Sequence, residues 1–168
     1  TNVTINGIPY NDAESLGTFW VDLPDFSSSV ENLQVQRGIG TSVNGSSAFG
    51  ASINILTDKI SQNSYFESAN TIGSFNTVKN NFRFSTGLLN ETIEFSGRLS
   101  KIDSDGYIDR ASSDLKSYCL QLSYKKNKTL LKFLNFGGHE ITYQAWNGID
   151  LQTLESNRTY NPSGLYYD

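Results

Sequence analysis

Residues 31–58, ENLQVQRGIGTSVNGSSAFGASINILTD, carry the pattern around which the rest of the chain is arranged. Leu33 to Arg37 alternates as a short strand does, and Ser52 to Thr57 repeats the pattern, with Ile53 and Ile55 on one face against Asn54 and Leu56 on the other. Gly38, Gly40, Gly45 and Gly50 punctuate the connection. Glycine is favoured where φ must be positive or where backbones approach closely, so four of them predict a tight return that leaves the two strands neighbours in one sheet. A phosphate loop does not fit, because no Gly-Lys-Ser/Thr triplet closes the segment and no G-x-G-x-x-G runs into a long helix.

The run VENLQVQRGIGTSVNGSSAFGASINILT resembles the C-terminal half of the plug domain of TonB-dependent outer-membrane receptors. In that family an acidic-aliphatic strand enters Arg-Gly, passes a Gly/Ser-rich segment and leaves through an Ile-Asn-Ile strand. Glu31, Val35, Arg37, Gly38, Gly45, Gly50, Ile53, Asn54 and Ile55 fall on the recurring positions, whereas Ile39 and Ala51 depart from a common proline and a common glycine. VTINGIPYNDAES and FWVDLPDFSSS, upstream, resemble the preceding strand and turn of the same plug.

Working outward toward the N-terminus, Val3 to Asn6 reads as a strand and Asn6-Gly7 as a turn. Phe19-Trp20-Val21 is an aromatic run suited to docking on a core. Pro24 fits the first position of a short helical turn lasting to Ser29, with Asp25 near its amide end. The order strand, loop, short helix, strand, glycine segment, strand predicts a small mixed α/β unit.

Toward the C-terminus the period changes. Ser64 to Ile72, Val78 to Thr86, Thr92 to Lys101, Lys116 to Lys126 and Thr129 to Phe136 are five strand candidates joined by polar connections, an antiparallel meander. Tyr118, Leu120, Leu122 and Tyr124 share one face and Ser117, Cys119, Gln121 and Ser123 the other; Thr92, Glu94, Ser96, Arg98 and Ser100 form a similar polar row. Two architectures satisfy this alternation. A soluble sandwich packs the apolar face on a second sheet, whereas an outer-membrane barrel turns it to lipid and the polar face to the lumen. The resemblance implies the barrel, and with it an antiparallel transmembrane β-wall of which only the first strands lie here. The expected division is 1–58, the C-terminal part of a plug, and 59–168, the start of a β-barrel with an outer loop.

Charge follows the same division: residues 1–58 carry net −5 and the remainder +1, within a total of −4 over 168 residues. An acidic balance disfavours nucleic acid as a partner. No run of 18 apolar residues provides a spanning helix, which says nothing against a barrel. Cys119, alone in an alternating strand, reads as a small wall residue, and His139 is isolated from other metal-ligating groups. Asp103, Asp105 and Asp109 crowd one connection, but nothing in their spacing sets one carboxyl apart as acid and another as base. No catalytic group, cofactor or metal is therefore expected. In the tail, Trp146, Tyr160 and Tyr166 suit either ligand stacking or self-packing of a long outer loop.

What the resemblance implies is active import of a scarce nutrient, such as a metal chelate, a cobalamin or an oligosaccharide, across the bacterial outer membrane. The expected partners are outer-membrane lipid, the small ligand and an inner-membrane energy-transducing protein of the TonB type. Arg37 is the expected latch from plug to acidic wall residues, and Glu31 the expected partner of Arg83 or Arg98. Lys79 lies on a strand whose charge need not meet the plug. The alternative from the residues alone is a secreted β-rich carbohydrate- or protein-binding module.

Overall fold

The computed structural model describes residues 1–38, 50–143, 145 and 147–165. Among them are nine strands: β1 (Asn2–Ile5), β2 (Ile8–Pro9), β3 (Val30–Arg37), β4 (Ala51–Thr57), β5 (Tyr65–Ile72), β6 (Val78–Ser85), β7 (Ile93–Ser104), β8 (Ser113–Lys126) and β9 (Thr129–Thr142), followed by one short helix, α1 (Leu151–Ser156). They form two sheets, ordered β2-β1-β4-β3 and β5-β6-β7-β8-β9.

In the N-terminal sheet β3 and β4 are antiparallel neighbours, with Leu33 opposite Ile55 and Val35 opposite Ile53, as the glycine-rich return predicts. β1 lies parallel to β4 on its other side and turns through Asn6 and Gly7, both at positive φ, into β2. Val3 and Ile5 thereby stand beside Ile53 and Ile55 and build an apolar face. Thr4, Asn54 and Gln34 line the opposite face, where Thr4 Oγ1 donates to Asn54 Oδ1 and Asn54 Nδ2 donates to Gln34 Oε1.

The expected α/β character of this unit needs correction. Its described residues contain no α-helix, only 3-10 turns at Trp20–Asp22 and Phe26–Ser29. Asp25 sits at φ 50, a left-handed conformation that interrupts a helix starting at Pro24, and three serines after Phe26 have little helical preference to restore one.

The C-terminal sheet is an uninterrupted antiparallel meander and stays open, without closing on itself among the described residues. Its last three strands are longer than expected, since 102–104, 113–115 and 137–142 also pair. The glycines at 137 and 138 resemble a loop signal but lie inside β9, where other groups come close. A Cβ at Gly137 would stand 3.2 Å from the Tyr118 ring, and one at Gly138 would collide with Pro24 of the N-terminal unit.

The two sheets share one core. Val3, Ile5, Leu23, Phe26 and Ile55 pack with Cys119, and Leu134 and Phe136 of β9 border the cluster. Phe26 meets Phe136 at 5.0 Å between ring centroids. Full burial of a side chain such as Phe26 or Leu23 is worth about 1.5–3 kcal/mol, so this contact contributes substantially to docking.

The N-terminal unit therefore covers the polar face of the large sheet. On that face Glu94, Ser96, Arg98, Ser100, Cys119, Gln121 and Ser123 are buried. The other face is apolar and open: Phe82, Phe95, Leu99, Leu122 and Phe133 are all exposed, Leu122 at 47%.

Candidate functional site

Across the ladder between β6 and β7, Arg83 stands directly opposite Arg98. Like charges in such a position repel, and Lys79, four residues away along β6, adds a third cation to the same face. Each arginine receives a carboxylate from outside the sheet.

The first comes from the turn that precedes β3. Asp25 holds a left-handed backbone, and its Oδ1 accepts from Ser28 Oγ of the following 3-10 turn at 2.7 Å while the carboxylate also meets the sheet. Lys79 Nζ lies 2.7 Å from Asp25 Oδ1 and 2.8 Å from Ser28 Oγ. Arg98 Nη1 lies 3.4 Å from Asp25 Oδ2, while its Nε donates to Ser29 Oγ and its Nη1 also donates to Ser117 Oγ. Ser100 Oγ completes the set by donating to Asp25 Oδ2. The side chains of Asp25 and Arg98 are 5% and 2% exposed, so this is a dry pair. Burial pushes the Asp25 carboxyl up, but hydrogen bonds from Lys79, Ser100 and Ser28, with the Lys79 charge, outweigh it and leave the carboxyl below its usual range.

The second carboxylate is Asp58, just past β4. Its Oδ2 lies 2.8 Å from Arg83 Nη2, and both side chains are partly open to solvent. The backbone carbonyl of Asp58 accepts from Gln121 Nε2 and Lys132 Nζ, and Thr57 Oγ1 donates to Gln121 Oε1. Further along, Ser61 N donates to the buried Glu94, which also accepts from Ser85 Oγ. Gly87 closes this attachment: its φ is +65, and a Cβ there would lie 2.7 Å from the backbone of Asn63 and Ser64. The chain crossing between the sheets is thus fastened to β6, β7, β8 and β9 at successive points.

These contacts correct several expectations. Glu31 pairs with neither Arg83 nor Arg98; it accepts from the Lys59 backbone N and meets Lys59 Nζ at 2.5 Å in an exposed pair. That hydrogen bond holds the Glu31 carboxyl below its usual range. The two arginines already have closer carboxylates, and β3 is the outer strand of its sheet, which leaves Glu31 nearest the crossing chain. Lys79, whose charge need not meet the N-terminal unit, does so through Asp25. Arg37 is exposed at the end of β3 and makes no ion pair with any described residue. Gly38 holds φ +79, and its N–H donates to Gly50 O, closing the mouth of the glycine-rich return. Gly45, Trp146 and Tyr166 lie outside the described residues, as do Gly40 and Ile39. Tyr160 is half-buried in the tail.

The sequence placed Arg83 and Arg98 on the polar face by alternation and missed Asp25 and Asp58 as their partners. The available signal was the three cations Lys79, Arg83 and Arg98 on one face of β5, β6 and β7 with only Glu67 and Glu94 as acids there. That imbalance required acids from elsewhere, and the acidic residues 1–58 could supply them.

The remaining candidates do not converge. Asp103 meets Lys101, Asp105 accepts from Asn76 Nδ2, and the Asp109 backbone N donates to Thr159 O. Among the described residues no group of three His, Cys, Asp or Glu is placed to hold a metal ion. Cys119 is buried in the shared core, in keeping with a small packing residue.

No protein-family model and no curated protein matches this sequence. Solved structures do share its fold. The ferripyoverdine receptor of the outer membrane of Pseudomonas aeruginosa, 17% identical, matches with a TM-score of 0.64 over 80% of this chain and 18% of its own. The siderophore receptor PirA from Acinetobacter baumannii, 17% identical, gives 0.57 over 86% and 24%. The ferric citrate transporter FecA in its unliganded form, 16% identical, gives 0.63 over 95% and 25%. The chain spans a quarter or less of the length of these three proteins. An N-terminal sheet docked on the polar face of an open antiparallel sheet is thus a fold that this chain shares with segments of these three outer-membrane receptors and transporters.

Proposed function

We propose that residues 1–58 are the C-terminal part of a plug and residues 59–168 the first wall strands and an outer loop of a receptor in the bacterial outer membrane. The receptor imports a small nutrient, and an inner-membrane energy-transducing protein of the TonB type drives it. The carrying observation is the inverted covering of the large sheet. Its polar face is buried under the N-terminal unit, while Phe82, Phe95, Leu99, Leu122 and Phe133 face outward uncovered. Water would oppose that arrangement and a lipid bilayer favours it. A secreted binding module would require the reverse covering, and nothing in the described residues supplies a second sheet over that apolar face.

In this reading the Asp25 and Asp58 contacts are where plug and wall are held together. Arg37, exposed beyond them, is left to meet wall strands further along the receptor. Siderophore and ferric citrate proteins among the structural neighbours favour a ferric chelate as substrate over a cobalamin or an oligosaccharide. The test is uptake by cells carrying the full-length receptor as their sole route. Accumulation of labelled ferric chelate that stops when the inner membrane is de-energised supports the reading. Uptake that persists without energy, or recovery of the receptor as a soluble secreted protein, overturns it.

A further inference from the structure

On the outward face of the large sheet one register line is polar on every strand. Asn70 stands opposite Asn80, Asn80 opposite Lys101, Lys101 opposite Lys116, and Lys116 opposite His139. The adjacent line toward the middle of the sheet carries Phe82, Leu99 and Tyr118, the edge of the apolar belt. On β8, Lys116 and Lys126 close the outward row Tyr118, Leu120, Leu122, Tyr124 at its two ends. Ten residues of strand rise roughly 34 Å, and a tilt of about 45° reduces that to roughly 24 Å of depth, close to the ~25 Å apolar band of a transmembrane barrel. Lys116 therefore stands at the level of lipid headgroups, where the stem lies on apolar surface and the ammonium reaches polar surroundings.

Lys101 and Lys116 are directly opposed, and their charges repel. The nearby acids answer this only in part. Lys101 Nζ lies 3.1 Å from Asp103 Oδ1, but Asp114 Oδ2 is 3.9 Å from Lys101 Nζ and 3.6 Å from Lys116 Nζ, outside hydrogen-bonding distance. Both lysine side chains are about half exposed, and ion pairs in such surroundings are weak. Beside the two ammoniums an open, largely apolar cavity of about 580 Å³ runs over Phe82, Leu99 and Tyr118. Asp103 and Asp114 stand two residues further along their strands, away from the cavity, so an anion entering from the belt meets the lysines first. Two cations over an apolar floor complement an anionic head with hydrocarbon behind it.

We propose that Lys101 and Lys116 bind the phosphate of a membrane lipid whose acyl chains lie along the cavity over Phe82, Leu99 and Tyr118. The inference rests on the reading that this face meets lipid, and adds to it a headgroup site at one end of the belt. Each ammonium has three donors to share among the phosphate oxygens, and the anion between them offsets the repulsion of the opposed pair.

The experiment is a lipid titration of the full-length receptor in detergent, read by native mass spectrometry. The probes are phosphatidic acid and diacylglycerol with the same chains, which differ only in the phosphate. Phosphatidic acid should bind more tightly. In the double variant Lys101→Gln, Lys116→Gln its affinity should fall about tenfold or more, to that of diacylglycerol. The double variant Lys101→Arg, Lys116→Arg keeps both charges and should stay within about threefold of wild type. Removing two charges at the other end of the belt, by Lys126→Gln and Lys128→Gln, should leave the affinity unchanged. Equal binding of the two lipids, or an equal loss in both glutamine pairs, would overturn the inference. Displacement of the lipid by excess inorganic phosphate would assign the lysines to a free anion and overturn it as well. A receptor recovered as a soluble protein without detergent fails the import reading and this inference together, whereas a detergent-bound receptor indifferent to the phosphate fails this inference alone.

Discussion

Replacing Asp25 with Asn keeps the volume of the side chain at the junction and removes its charge. Arg98, 2% exposed, would keep its own charge without a counterion, while the partly exposed Lys79 can turn toward water. Removing one partner of a buried ion pair typically costs about 3–5 kcal/mol, most of it from the stranded charge. Here the opposed Arg83 makes stranding worse, since Asp25 also offsets repulsion across the ladder. Asp25→Asn should therefore lower the free energy of opening the junction by about 3 kcal/mol or more. The comparison is Glu31→Gln, which breaks the exposed pair with Lys59 and should cost about 0.2–1 kcal/mol. Native-state hydrogen exchange in the full-length receptor gives both values, read at the amides of β1 and β4 against those of β7 and β8. A cycle with Arg98→Met isolates the pair: the double variant removes both charges, so its loss should be smaller than the sum of the single losses. Equal small effects of Asp25→Asn and Glu31→Gln, or additive losses in the cycle, would refute the assignment of Asp25 as the main fastening.

The same carboxyl sets a pH dependence. Its folded value lies below the ordinary 3.8, so its contribution is fully present above about pH 5 and fades as the pH falls through 3.8 and below; exchange at β1 and β4 that accelerates already near neutral pH would contradict this. Gly138→Ala should push the Pro24 turn off β9 and cost about 1–3 kcal/mol at the junction, measurable by urea unfolding, because Lys116 O on the other side leaves no room to shift. Leu122→Arg should impair folding into lipid vesicles by about 2–4 kcal/mol near the bilayer midplane. Gln121→Arg, mild on alternation alone, should instead disturb Thr57 and Asp58, to which Gln121 is hydrogen-bonded. Arg37→Ala should change junction stability by less than about 0.5 kcal/mol, being exposed and unpaired among the described residues, and a larger change in the same exchange assay would place a partner for it further along the wall.

Alternation along the strands by itself determined the meander, the two faces of each wall strand, and the inward position of Arg83 and Arg98, because a period of two is a local property of extended chain. The glycine-rich return likewise fixed β3 and β4 as neighbours. Strand ends were not legible, since residues 102–104, 113–115 and 137–142 are mostly polar or glycine and pair only because a partner strand lies alongside. The short helical turn expected from Pro24 to Ser29 forms only from Phe26, as a 3-10 turn ending at Ser29, because Asp25 takes a left-handed backbone and its side chain bonds the large sheet. Nor does the sequence say which acid meets which base. Asp25 and Arg98 are 73 residues apart, and the choice of Asp25 over Glu31 follows from which face of the N-terminal unit docks on the large sheet. That docking is set by Phe26, Leu23 and Phe136 closing one apolar core, a long-range packing event that no local pattern encodes.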